Sequence, residues 1–276
     1  MSAPPMVSYA LNFEDVLLNR VFPNQSEGFY LDAGAFDPVE HSVTKHFYDR
    51  GWHGINIEPD SVVFPRLRDE RSRDVNLNIG VSDHEGEQTL FGGPGAHWSA
   101  DLSLVTGYFH VDPRDVIKTT VRVTTLAKIC EQHVPPGLTI DFLKVDVEGL
   151  EGAVIAGADW TRWRPRVVLV EVNRPETWEP RLFDSGYLFA TFDGVNRYYV
   201  RSEDAHLLPI FSAPVNISDN FLIYNYLKAI NELREKLGDL ADLGPVSLRI
   251  ARRLQTLSTK HPHLARIAKR IIRRVA

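Results

Sequence analysis

Apolar residues along the chain follow two alternating rhythms. Unbroken apolar runs at "GFYLDAG" (Gly28–Gly34), "HGINIEPD" (His53–Asp60), "TIDFLKVDVEG" (Thr139–Gly149) and "RVVLVEVN" (Arg166–Asn173) read as strands buried on both faces. "RDVNLNIGVSD" (Arg73–Asp83) reads as one more, third in chain order. Between the runs, apolar positions recur at helical spacing. "NFEDVLLNRVF" predicts a helix with Asn12 as its cap, Phe13, Val16, Leu17 and Val21 on one face, and Pro23 as its stop. "EHSVTKHFYDRG" (Glu40–Gly51) predicts a helix carrying Val43, Phe47 and Tyr48 and ending at Gly51. "SVVFPRLRDER" turns helical after Ser61, with Pro65 confined to its start. "LEGAVIAGADW" and "ETWEPRLFDSG" are helical, and "YLFATFDG" with "NRYYVRS" forms a closing antiparallel pair. Residues 83–125, rich in Gly, His, Ser and Thr, read as a hairpin with long loops inserted before the fourth strand.

Strands alternating with helices predict an α/β domain. Its sheet is mostly parallel, covered on both faces and built with right-handed crossovers. Ligands of such sheets sit outside the carboxyl ends of the strands. Strands one, two, four and five each end in an acid: Asp32, Glu58, Asp146 and Glu171. Any one of these also reads as a cap for the helix that follows. Four on one rim point to a site.

Composition narrows the ligand. With 43% hydrophobic and 24% charged residues the chain has the makings of an ordinary core. The single cysteine, Cys130, excludes an internal disulfide framework and a cysteine zinc site, and fits a reducing compartment. No basic start followed by an apolar block suggests a signal peptide, and no apolar run approaches the roughly 20 residues that span a bilayer. The expectation is a cytoplasmic protein. The net charge of −5 hides an asymmetry: Val246–Ala276 holds nine Lys or Arg and no acid, leaving 22 basic against 36 acidic residues elsewhere, a net of −14. An acidic body argues against nucleic acid as partner.

The turn after the first strand is Ala33-Gly34-Ala35, small enough for close approach of a ligand to the backbone. Asp32 then accepts from an amine or hydroxyl, and Glu58, at the end of the neighbouring strand, stands where an acid holds ribose hydroxyls. A dinucleotide site needs G-x-G-x-x-G for its pyrophosphate. Here "GAFDPV" offers one glycine and then Asp37, which repels phosphate. A phosphate-free nucleoside with a cationic end fits, and S-adenosylmethionine is one.

Four stretches carry a family resemblance: "VSYALNFEDVLLNRVF", "GFYLDAGAFDPVEHSVTKHFYDRGWHGINIEPD", "NLNIGVSDHEG" and "IDFLKVDVEGLEGAVIAGADWTRWRPRVVLVEV". Together, over about residues 7–200, they resemble the FkbM family of S-adenosylmethionine-dependent methyltransferases. The resemblance implies the class I methyltransferase, Rossmann-like fold: a mostly parallel seven-stranded sheet with helices on both faces, over residues 1–215. A helical extension, 216–276, follows. It implies O-methylation of a sugar hydroxyl in a glycan, glycolipid or glycosylated natural product. Asp32, Gly34 and Ala35 then face the methionine part, Glu58 takes the ribose, Asn78 to Ser82 border the adenine, and Asp146 and Glu148 lie nearest the methyl group. Two positions depart from the family pattern. Phe36 stands where an amide is common, and "TLA" (Thr125–Ala127) replaces a "TLD".

Methyl transfer to an alcohol calls for a general base, and Asp146, Glu148, His97 and His41 are candidates, Asp146 first. Trp98 is placed to stack on a sugar ring. Mg²⁺ held by Asp146, Glu148, Glu171 and Asp193 is the alternative way to acidify the hydroxyl. Near the end, Leu264, Ile267, Ala268, Ile271, Ile272 and Val275 share one side of a helix whose other side is basic. That pattern suits an anionic membrane at the inner face, or packing on the protein or a sister subunit. A nicotinamide-dependent oxidoreductase and a non-catalytic membrane-docking module are the competing functions.

Overall fold

The computed structural model describes residues 5–93, 98–172 and 177–241. His97 and the basic segment 246–276 lie outside the described residues. Strand β1 (Met6–Ser8) leads to helix α1 (Glu14–Val21). Asn12 does not cap it. Phe13 precedes the first turn at φ 63°, and Glu14 Oε2 accepts the Asn12 N–H at 2.9 Å. Asp15 accepts the Ser8 hydroxyl and the Tyr9 N–H, both at 2.7 Å, and its burial lifts its pKa to about 7.

The first parallel units are β2 (Phe29–Ala33), α2 (Lys45–Asp49), β3 (His53–Ile57), α3 (Phe64–Glu70) and β4 (Val75–Leu77). Helix α2 starts five residues later than the sequence pattern suggests, because His41 takes φ 63° and bridges Ala10. The single strand expected at Arg73–Asp83 is broken in two. Asn78 Nδ2 donates to the carbonyls of Glu58 and Pro59 at 2.9 and 3.2 Å. Beyond it β5 (Gly80–Ser82) joins β6 (Gly86–Gly92) and β7 (Ile117–Thr125) in a separate sheet of order β5-β7-β6. The expected hairpin is β6–β7. Helix α4 (Leu126–His133), absent from the sequence reading, is capped by the Thr125 hydroxyl, which accepts the Lys128 N–H.

The chain continues through β8 (Phe142–Val145), α5 (Glu151–Ala156), β9 (Val167–Glu171), α6 (Glu179–Asp184), β10 (Tyr187–Phe192) and β11 (Asn196–Arg201). Then come β12 (Phe221–Ile223) and α7 (Tyr224–Ala241). The main sheet has seven strands in the order β10-β11-β9-β8-β2-β3-β4. All run parallel except β11, which is antiparallel to both neighbours. This is the expected sheet. Since β1 pairs with β12, the first compact unit extends to Ile223 rather than 215, and the second begins at Tyr224. No helix among the described residues is long and apolar enough to cross a membrane.

Both sheet faces are covered, which is why the parallel strands read as continuous apolar runs. Leu31, Ile55, Leu143 and Val168 pack on Ile129 of α4, Val154 of α5 and Leu182 of α6. On the other face Tyr30, Phe142, Leu169 and Tyr198 meet Leu17 and Leu18 of α1 and Phe47 of α2. That second face carries a polar row, Asn76, Asn56, Asp32 and Lys144, paired in register across β4, β3, β2 and β8. Buried polar groups must be hydrogen-bonded, and here Arg71 anchors them. Arg71 is 1% exposed. It donates to the Pro38 carbonyl at 2.9 Å, the Ser42 hydroxyl at 2.7 Å and the Tyr30 hydroxyl at 3.3 Å, and lies 3.6 Å from Asp74. Asp74 in turn accepts from Tyr30 and Asn56, both at 2.8 Å. Lysine carries the charge but not the fork. Arg71→Lys is expected to cost about 2 kcal/mol in urea unfolding, because it strands buried acceptors without donors.

Candidate active site

A cavity of about 490 Å³ opens where the carboxyl ends of β2, β3, β8 and β9 meet. Asp32, Gly34, Ala35, Glu58, Asp146, Glu148 and Glu171 all line it. The strand-end acids therefore converge on one wall. The volume is that of a small-molecule site.

The turn after β2 is fixed by its neighbours. The N–H groups of Gly34 and Ala35 donate to the Ile57 carbonyl at 3.0 and 3.1 Å, and the Asp146 N–H donates to the Ala33 carbonyl at 3.0 Å. Gly34 takes φ 84°, and a Cβ there would stand 1.7 Å from the Asp146 carbonyl oxygen. Glycine is required on both counts.

Asp32 is 1% exposed. Its Oδ2 accepts the Thr44 hydroxyl at 3.1 Å. Its Oδ1 lies 3.3 Å from Lys144 Nζ, within ion-pair range, yet receives no hydrogen bond. A buried carboxylate oxygen left this way, on a cavity wall, fits a cationic or hydroxyl donor from a ligand. Lys144 is a site residue that the sequence reading missed. Its Nζ donates to the Gly34 carbonyl at 2.7 Å and pairs with Asp146 Oδ2 at 3.2 Å. Burial pulls its pKa down, but the Asp146 and Asp32 carboxylates outweigh burial and hold it well above the usual lysine range. A lysine inside a buried strand was the available signal, since lysine is rarely buried unpaired.

Glu58 is buried, and burial pushes its carboxyl up to about 7, against the N–H groups of Asp60 and Phe36 that hold it down. Oε1 accepts from Asp60 and Oε2 from Phe36, both at 2.8 Å, so each oxygen keeps one further lone pair. Phe36 takes φ 49° to make its bond. Glu14, on α1, also lines the cavity; burial raises its pKa, and its Oε1 accepts from Asn196 Nδ2 at 2.9 Å.

Carboxylate oxygens of Asp146, Glu148 and Glu171 lie within 4.8 Å of one another. Three such oxygens suit a hard divalent cation in kind and spacing. Asp193 does not join them. It sits outside the cavity wall and accepts the N–H groups of Val195 and Asn196 and the Tyr198 hydroxyl. Of the four predicted metal ligands the fold thus brings together Asp146, Glu148 and Glu171 and leaves Asp193 apart.

Asn78 and Ser82 also stand outside the wall, where Ile79, Gly80 and Val81 between them take the place. The polar ends of that segment are turned to other work: Asn78 holds the Glu58 carbonyl and Ser82 contacts Asp83 and His84. Of the histidine candidates, His41 lines the cavity, and His97 lies outside the described residues. Trp98 lines it too, its Nε1 donating to Asp60 at 2.8 Å. Ser99 donates to the Glu148 carbonyl, so the inserted segment is pinned to the rim at two points. Tyr108 and Phe109 line the cavity as well.

No curated protein matches the chain. Among solved structures, similarity is found to the methyltransferase FkbM of Methylobacillus flagellatus KT at 13% identity and TM-score 0.41, covering 67% of this chain and 47% of that one. A TehB-like SAM-dependent methyltransferase from Corynebacterium glutamicum ATCC 13032 Kitasato matches at 10% identity and TM-score 0.35, covering 68% and 87%. The Methanococcus jannaschii fibrillarin pre-rRNA processing protein matches at 12% identity and TM-score 0.33, covering 64% and 66%. The chain spans less than half the length of the Methylobacillus protein. The sequence profile described as the methyltransferase FkbM domain matches residues 32–206, from the first strand-end aspartate to beyond the closing strand pair. That match covers more than half of the sequence, and the chain belongs to the FkbM methyltransferase family.

Proposed function

We propose that the chain transfers the methyl group of S-adenosylmethionine to a hydroxyl of a sugar-containing acceptor, in a glycan, a glycolipid or a glycosylated natural product. One observation carries the reading. Asp32 and Glu58 end adjacent strands beside the Gly34 turn, and Asp146 ends the next strand over, all on one cavity. Asp32 holds the ammonium of the cofactor and Glu58 its ribose hydroxyls. The sulfonium supplies, when bound, an electrophilic methyl and a neutral thioether as leaving group. Asp146 takes the proton of the acceptor hydroxyl as that oxygen attacks in line. Trp98, Tyr108 and Phe109 offer aromatic faces on the acceptor side, the kind of surface on which sugar rings stack. The acidic wall disfavours anionic acceptors.

The test is incubation of the protein with methyl-labelled S-adenosylmethionine and a lipid and polysaccharide extract of the source cell. Label in an alkali-stable sugar ether supports the reading. Label released by mild alkali moves the acceptor to a carboxylate. Heat of binding with a nicotinamide dinucleotide, and none with S-adenosylhomocysteine, selects the oxidoreductase. A second reading is favoured by the three clustered carboxylates: Asp146, Glu148 and Glu171 would hold Mg²⁺, which would acidify the hydroxyl in place of a base. Transfer lost in EDTA and restored by Mg²⁺ selects it. Contact of residues 246–276 with membrane is a separate proposal, read out by co-sedimentation with anionic vesicles.

Glu58 gives the site a pH dependence. Its ionised form accepts the ribose hydroxyls, and burial places its pKa at about 7. Below that pH, binding must first expel a proton, so affinity rises with pH. Calorimetry with S-adenosylhomocysteine should show binding roughly ten-fold weaker at pH 6 than at pH 8, levelling off above. Glu58→Gln should bind more weakly and lose the slope.

A further inference from the structure

Lysine is poorly suited to the interior of a parallel strand, yet Lys144 on β8 is only 8% exposed. Its register explains what it does there. It stands directly opposite Asp32 on β2 and two residues before Asp146, so the three side chains leave the sheet on one face. Nζ then reaches three oxygens: the Gly34 carbonyl at 2.7 Å, Asp146 Oδ2 at 3.2 Å and Asp32 Oδ1 at 3.3 Å. One is a hydrogen bond and the other two are ion pairs, so a single ammonium faces both carboxylates. An apolar side chain of the same length would fill this space with no charge to desolvate, so packing alone does not call for lysine.

The three oxygens belong to different parts of the site. Asp32 is held from its other side by Thr44, which touches Ser42, which accepts from Arg71. The Gly34 turn is held by its own N–H groups on the Ile57 carbonyl. Asp146 stands further out, its side chain 31% exposed at the cavity rim. Lys144 is therefore a link between a rigid donor side and a more open transfer side. We propose that Lys144 is a positioning residue, tying the carboxylate that anchors the methyl donor, Asp32, to the carboxylate at the point of transfer, Asp146, through one shared ammonium. The tie fixes the separation across which the methyl group travels. Its kinetic consequence rests on the methyl-transfer reading above; the tie itself does not.

Two measurements on the full chain separate those levels. The first is a thermal-denaturation cycle of wild type, Lys144→Met, Asp146→Asn and the double variant. Lys144→Met leaves two carboxylates without their common cation and should lower Tm by about 5 °C or more. Asp146→Asn in that background should restore part of the loss. Additive shifts would overturn the tie, whatever the protein catalyses. The second follows labelled methyl transfer into the source-cell extract. Because the Ile57 carbonyl still holds the donor turn through two N–H groups and Thr44 still holds Asp32, Lys144→Met should keep the KM for S-adenosylmethionine within about threefold, while the rate at saturating donor falls about 100-fold. Lys144→Arg, which keeps a cation between the carboxylates, should retain at least a third of the wild-type rate. A merely structural lysine would give rates that recover once corrected for folded fraction, and that result overturns the proposal. So does an unchanged rate. Absence of transfer by wild type refutes the proposed function, and the thermal cycle then judges the tie alone. Should Lys144→Met not accumulate as folded protein, Lys144→Arg and Lys144→Met/Asp146→Asn decide: neither folding better than Lys144→Met counts against the tie.

Discussion

Gly34→Ala will cost the protein about 3 kcal/mol of stability and at least 100-fold in affinity for S-adenosylhomocysteine. The residue sits at φ 84°, a region that costs an L-residue roughly 1–2 kcal/mol. The new Cβ would also lie 1.7 Å from the carbonyl oxygen of Asp146, so one backbone must move. Neither moves freely. Gly34 and Ala35 hang from the Ile57 carbonyl, Asp146 N–H is bonded to the Ala33 carbonyl, and Lys144 holds the Gly34 carbonyl at 2.7 Å. Overpacking of this kind adds roughly 1–3 kcal/mol. The turn that yields is the one beside Asp32, so ligand affinity falls with it. A urea midpoint shift at constant m, and calorimetry on the protein that remains folded, measure the two parts. Gly107→Ala is the control. Gly107 is exposed in a helical segment with nothing within 4 Å of a Cβ, and its substitution should lower neither quantity. Equal effects at both positions would remove the turn from the account.

The sheet was legible because its burial is two-sided. A parallel strand covered on both faces must be apolar at every position, and a polar residue at its end then stands out. Asp32, Glu58, Asp146 and Glu171 could be picked out for that reason. What was not legible depends on partners distant in sequence. Arg73–Asp83 looks like one strand, but Val75–Leu77 pairs with β3 whereas Gly80–Ser82 pairs with β7, some forty residues on. No local pattern reports that choice. The side chain of Asn78 makes the break by bonding two carbonyls of the Glu58–Pro59 turn, and so an expected adenine contact becomes a structural brace.

Asn12 failed as a cap for a similar reason. Glu14 and Asp15 are buried and accept the N–H groups of Asn12 and Tyr9, which fixes the chain just before α1 without a side-chain cap. Asp193 resembles the other strand-end acids in sequence, yet it ends β10, whose place at the sheet edge sets it away from the cavity. Lys144 was in plain view inside "LKVDVEG". Its meaning needed the register that places it opposite Asp32, and register between residues 112 apart is set by the whole fold.

Asp146→Ala should lower methyl transfer by about 10²- to 10⁴-fold, the range a general base contributes, while leaving S-adenosylhomocysteine affinity within a few-fold. The split follows from where the side chain stands. On the proposed reading the donor contacts belong to Asp32, Glu58 and the Gly34 turn, and the hydrogen bonds that hold that turn do not use the Asp146 carboxylate. Asp146 stands at the cavity rim beside Glu148 and Glu171, which the proposed reading makes the acceptor side. Asp146→Asn sharpens the test. It keeps shape and hydrogen-bonding capacity but cannot take a proton. A base predicts that Asn and Ala variants fail alike in saturating Mg²⁺. A metal ligand predicts that Asn, still an oxygen donor, regains part of its rate as Mg²⁺ is raised. Lys144 bears on the outcome, because its ammonium lies 3.2 Å from Asp146 Oδ2 and orients that carboxylate. If both variants turn over at wild-type rate, the proton leaves by another group, and Glu148 and Glu171, within 4.8 Å, are the next to replace.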